Sequence, residues 1–133
     1  MYLNQLNEKQ SNLFLDIALH MSKCDEDYSS IEKDLVLDLC EEMEIPYRDI
    51  SENNLKQAAK LLSEELNHKQ KKMIFLELMS LAFVDESIDP REENAIHDIA
   101  SIFGLSNDDC EIALNLIKEL GKSYMAIAKY INK

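Results

Sequence analysis

A small polar residue followed three places later by Glu, Gln or Asp recurs along this chain, and each occurrence marks a helix start. The first side chain accepts from the backbone N–H three residues on, and the later side chain reaches back to the cap. Asn7 with Gln10 opens a helix to about residue 23, and Ser29 with Glu32 opens one to about residue 44, where Pro46 discourages continuation. Asn67 with Gln70 opens His68 to Val84; Asp89 with Glu92, and Pro90 at the favoured first position, opens a fifth helix that Gly104 can end in a left-handed turn. Ser106 with Asp109 begins a last helix reaching to about Ile131, and Ser51 is expected to cap one over about residues 51–66. With only 2 Gly and 2 Pro in 133 residues, where about 9 and 7 are usual, sandwiches, barrels and Gly-cradled phosphate sites are excluded. The fold class is all-α.

The helix from His68 is apolar almost all round beyond its first turn, from Met73 to Val84, and so reads as a central helix with neighbours on most sides. Its polar residues Gln70, Glu77 and Ser80 recur on one narrow stripe, which predicts Glu77 as a solvated or edge residue.

The net charge of −12 is not spread evenly. Residues 25–45 carry nine carboxylates against Lys33, and residues 85–111 carry nine against Arg91, so each block stands at −8 and the remainder at +4. Phosphate backbones and anionic membrane surfaces are repelled by such blocks, which argues against nucleic acid. A divalent cation or a protein partner with a basic surface is the natural counterpart.

Cys24, Cys40 and Cys110 are odd in number, far apart and in no metal-ligand spacing, the pattern of buried thiols in a reducing compartment. Residues 1–12 contain one basic residue and no apolar run, and the most apolar stretch, Ile74 to Val84, is too short to span a bilayer. The expectation is a cytoplasmic protein that is not an integral membrane protein.

An internal repeat organises these features. A shift of sixty residues lays Cys24 to Glu32 onto Val84 to Glu92, and carries Leu35, Val36, Leu39, Cys40, Met43 and Ile45 onto Ala95, Ile96, Ile99, Ala100, Phe103 and Leu105. Each half reads as helix, acidic turn, capped helix. Neither hairpin can bury its own apolar face, so the two pack together. The chain is expected to form a single domain over 1–133, a pseudo-symmetric bundle of about six helices. Its repeat halves cover about 7–45 and 67–105, with a connecting helix at about 51–66 and a C-terminal helix at about 106–131.

The run Phe83-Val84-Asp85-Glu86-Ser87-Ile88-Asp89-Pro90-Arg91-Glu92 resembles the signature of the TerB-like family, in which a small residue and an Asp-Gly-x-Ile-Asp/Ser-x-x-Glu segment join two helices, usually twice per chain. Where that family has Gly after the Asp, this chain has Glu26 and Glu86. The resemblance implies a helical bundle acting as an adaptor, not an enzyme, in stress or tellurite-resistance systems, with acidic loops that bind divalent cations. By position, it implies Asp25 and Glu32 in the first half and Asp85, Asp89 and Glu92 in the second as metal ligands, for Ca²⁺, Mg²⁺, Mn²⁺ or Zn²⁺.

A calcium EF-hand loop can be tested against the same residues. Asp25, Asp27 and Ser29, like Asp85, Ser87 and Asp89, supply its first three oxygen positions. The Gly required at position 6 is Ser30 or Pro90 and the Glu at position 12 is Val36 or Ile96, which excludes the standard loop. The bland account of the same acids is helix capping, worth about 1 kcal/mol at each cap, together with the attraction of carboxylates to helix N-termini.

Other constellations are weaker. Glu65-Leu66-Asn67-His68 is a lone Glu-x-x-His pair at a helix boundary, where a di-iron bundle needs two such pairs inside helices. His20 and His97 do not correspond under the repeat and read as edge-of-core histidines; Lys69, Lys71 and Lys72 read as a solvated face. No catalytic residue, Gly-rich loop or serine elbow emerges. The alternatives to a binding module are a metal-dependent enzyme with an acidic cleft and a purely structural interaction bundle.

Overall fold

A computed structural model describes residues 2–23, 30–82 and 90–133, with the side chains of 30–32 excluded. The described chain is helical: a 3-10 turn at Leu3–Gln5, then α1 (Glu8–Ser22), α2 (Ser30–Met43), α3 (Leu55–Glu65), α4 (His68–Ala82), α5 (Pro90–Phe103) and α6 (Asn107–Ile131). The local capping logic holds where it is described. Asn7 and Gln10, Asn67 and Gln70, and Ser106 and Asp109 each exchange both cap hydrogen bonds. Ser29 and Asp89, assigned as caps of α2 and α5, lie outside the described residues, as do Cys24 and positions 83–84 of the expected fourth helix.

One start differs. Asn54, not Ser51, caps α3, exchanging both cap bonds with Gln57, because the Ser51 hydroxyl lies 3.0 Å from His20 Nε2.

The ends of α4 and α5 fall sixty residues after those of α1 and α2. After α2, Glu44 takes a left-handed φ of 57° and the Ile45 N–H reaches back to the Cys40 carbonyl; after α5, Gly104 takes φ 70° and the Leu105 N–H reaches the Ala100 carbonyl. Both helices therefore end in the same Schellman-type turn, but only the second has the residue that adopts it without strain. Glu44→Gly removes a left-handed cost of roughly 1–2 kcal/mol against an entropic penalty of roughly 0.5–1 kcal/mol, so a modest net gain in stability is expected, read as a higher denaturant midpoint at unchanged slope.

α1 packs on α2, α3 and α4; α3 packs on α5, and α4 on α5 and α6. The apolar surround of α4 does give it three neighbours. The more enclosed helix is nevertheless α1, whose Phe14, Leu15, Ile17 and Ala18 are fully buried together with Asp16. Glu77 is a correction: it is buried, not solvated, because the N-terminal segment folds over α4 and the Tyr2 N–H donates to its carboxylate at 2.6 Å. His97 is also corrected, to an exposed side chain 3.9 Å from Glu93 one turn back on α5. The apolar residues beside it in sequence, Ala95, Ile96, Ile99 and Ala100, turn the other way and are buried.

Candidate functional site

The two acidic turns join α1 to α2 and α4 to α5. Of the five candidate ligands, Asp25, Asp85 and Asp89 lie outside the described residues, and Glu32 stands in the first turn of α2 with its side chain outside them. Glu92 is described: it occupies the first turn of α5, half-buried, beside exposed Glu93. A first helical turn lies at the positive dipole end of its helix, where carboxylates are a favourable choice. Among the described residues no three His, Cys, Asp or Glu side chains gather as a metal ion would require.

The most elaborate polar arrangement among the described residues lies elsewhere, where the 46–54 segment crosses α1. Asp16 is fully buried and pairs with Arg48 at 2.6 Å. Its Oδ1 also accepts from the Glu52 N–H at 2.9 Å, while Oδ2 accepts from the Asn53 N–H at 3.2 Å and the Asn53 side-chain amide at 3.0 Å. Arg48 in turn donates to the Ile50 and Asn12 carbonyls, both at 2.9 Å. One turn further, His20 Nε2 lies 3.0 Å from the Asn53 carbonyl, which only accepts, so that nitrogen carries the hydrogen. Lys23 donates to the Asp49 carbonyl.

A cleft of about 750 Å³ opens beside this cluster, lined by Asn12, Asp16, Tyr47, Arg48 and Glu52 among others. Its chemistry is nevertheless spent on the fold. The four acceptor positions of the Asp16 carboxylate are filled, and Arg48 is engaged through both terminal nitrogens. The cluster clamps the segment leading into α3. Sequence reading passed over it, although Asn12, Asp16, His20 and Lys23 form a polar stripe at helical spacing along an otherwise apolar helix. That stripe is the signal that a buried polar seam runs along α1.

A second cleft of about 440 Å³, between α4, α5 and α6, holds Glu93, His97, Cys110 and Glu111. Burial, and then the neighbouring Asp109 charge, push the Cys110 thiol up, and burial does the same to Cys40. Neither is a thiolate nucleophile at neutral pH. Asp109 itself is held below the usual carboxylate range by the hydrogen bonds its carboxylate accepts from the Ser106 N–H and hydroxyl, the first of which is also half of the capping box of α6.

No helix among the described residues is long and apolar enough to cross a membrane. Residues 50–115 match the family model for the tellurite resistance protein TerB, a span that holds the whole second acidic turn, while the first lies before it. No curated protein and no solved structure gives a match.

Proposed function

We propose, from the premise that the chain belongs to the TerB-like family of tellurite-resistance-type helical modules, that it works by binding and not by catalysis, with its acidic turns as the binding elements. In this reading a divalent cation sits at the turns, held by Asp85, Asp89 and Glu92 in the second and by Asp25 and Glu32 in the first. The bound ion, or the acidic surface around it, presents the module to a basic partner. One observation carries the reading. Each −8 block begins at one of two joints whose flanking helix ends are offset by the same sixty residues, with Asp25, Glu26, Asp27 and Glu32 at the first and Asp85, Glu86, Asp89, Glu92 and Glu93 at the second. Carboxylates crowded at a joint repel one another, and a hard cation that takes about six to eight oxygens relieves that repulsion.

Thermal melts of the metal-free protein, with EDTA and with millimolar Ca²⁺, Mg²⁺, Mn²⁺ or Zn²⁺ in turn, test it. An ion present at a hundred times its dissociation constant stabilises by about 2.7 kcal/mol, which is several degrees for a domain of this size. At least one ion is expected to produce such a rise, and Asp85→Asn with Glu92→Gln to remove most of it. Four melts that overlay the EDTA curve would refute the cation.

A further inference from the structure

α6 runs for 25 residues, but only its first part is held by the bundle: Ala113 and Ile117 are buried, whereas every residue from Lys122 to Lys133 is exposed. The amphipathic pattern does not stop where the packing stops. Ile112, Leu116, Tyr124, Ile127, Tyr130 and Ile131 fall within one third of the helix circumference at 100° per residue, and they are between 53% and 80% exposed. Lys118, Lys122, Lys129 and Lys133 fall on the opposite face. The apolar stripe is about 29 Å long. It exposes roughly 800 Å², what one partner contributes to a specific interface, and more than the roughly 300–600 Å² of the largest patch on a typical monomer.

The two ends of the stripe are complementary to each other. At its start, Phe75, Leu76, Leu105, Ile112, Ala113 and Leu116 wall a mainly apolar groove of about 170 Å³. An apolar cavity of about 150 Å³ accepts a benzene ring, so the groove has room for one large side chain. At its far end stand two such side chains, Tyr130 and Ile131, with no buried surroundings. A two-fold axis beside the middle of the stripe, near Leu120 and Tyr124, brings the tip of each helix to the groove of the other. Charge favours the same arrangement. Residues 118–133 sum to +3 and residues 1–117 to −15, and antiparallel pairing lays the net basic end of each helix alongside the acidic start of the other, which holds Asp108, Asp109 and Glu111. Parallel pairing would set those acids against their own copies. An anionic membrane fits less well, because the −15 body is repelled from it.

We infer that the exposed half of α6 is a homodimerisation element, pairing antiparallel with α6 of a second copy and seating Tyr130 and Ile131 in that copy's groove between α4 and α6. The pairing is independent of any bound cation.

Sedimentation equilibrium in EDTA at low salt, over about 1–100 µM, tests this. The intact chain is expected to approach twice its 15.4 kDa mass, and Ile127→Asp to remain at single mass with unchanged helical circular dichroism, since Ile127 lies on the exposed half of α6. Orientation is read from two double variants. Ile112→Lys with Ile131→Asp places opposite charges together only in the antiparallel pair, and should dimerise about tenfold more tightly than Ile112→Lys with Ile131→Lys. A monomer throughout the range would overturn the inference. So would a dimer untouched by Ile127→Asp, equal affinities of the two double variants, or a monomer that instead sediments with phosphatidylserine-containing vesicles.

Discussion

Replacing Asp16 with Ala should lower stability by about 3–5 kcal/mol, the cost of removing one partner of a buried ion pair. The loss is larger than for an ordinary hydrogen bond because four donors lose their acceptor together: the Arg48 guanidinium, the Glu52 and Asn53 N–H groups, and the Asn53 amide. Arg48→Met is expected to cost less. It leaves Asp16 with its three other donors. Chemical denaturation of both variants checks the order. Equal losses would mean that the guanidinium alone holds the carboxylate, and that the loop amides contribute nothing measurable.

Phe14→Ala should be as severe, at about 3–5 kcal/mol. Phe14 is fully buried on α1, the helix that packs on α2, α3 and α4, so its truncation opens a cavity inside the core. Against a total stability of about 5–15 kcal/mol, this leaves a protein close to its unfolding threshold. Ile131→Ala on the exposed end of α6 provides the comparison: at protein concentrations below dimerisation it should leave the denaturant midpoint almost unmoved. A Phe14→Ala midpoint close to that of the intact chain would show that α1 is not the centre of the core.

Helix ends were legible in the sequence because a capping box is written in residues three apart, and the bonds of Asn7, Asn67 and Ser106 need nothing from the rest of the fold. Ser51 misled for a tertiary reason. It has the chemistry of a cap, but His20 of α1, thirty-one residues earlier, lies against its hydroxyl, and the chain goes on to Asn54 before it turns helical. The Asp16–Arg48 pair, thirty-two residues apart, and the Tyr2–Glu77 contact, seventy-five apart, depend on which elements lie side by side, which local pattern does not encode. Glu77 shows the limit of helical stripes. A polar stripe tells which side of a helix is polar, but whether that side meets water or another segment's N–H depends on what folds over it. The acidic turns were legible as charge and as register. How the two hairpins approach each other is a tertiary matter, which the charge pattern does not encode. The stripe of α6 was equally written in the sequence as an apolar face, but its exposure appears only once Ile117 is seen to be the last buried residue of that helix.

Binding of a divalent cation at the acidic turns is the proposal on which the functional reading rests. Its most direct measurement is calorimetric titration of metal-free protein with Ca²⁺, Mg²⁺, Mn²⁺ and Zn²⁺ separately, beside Asp25→Asn with Asp85→Asn. Saturable binding of at least one ion is expected at one or two sites per chain, lost in the double variant while its helical content is unchanged. Heats indistinguishable from dilution for all four ions, or binding that survives loss of both aspartates, would contradict it.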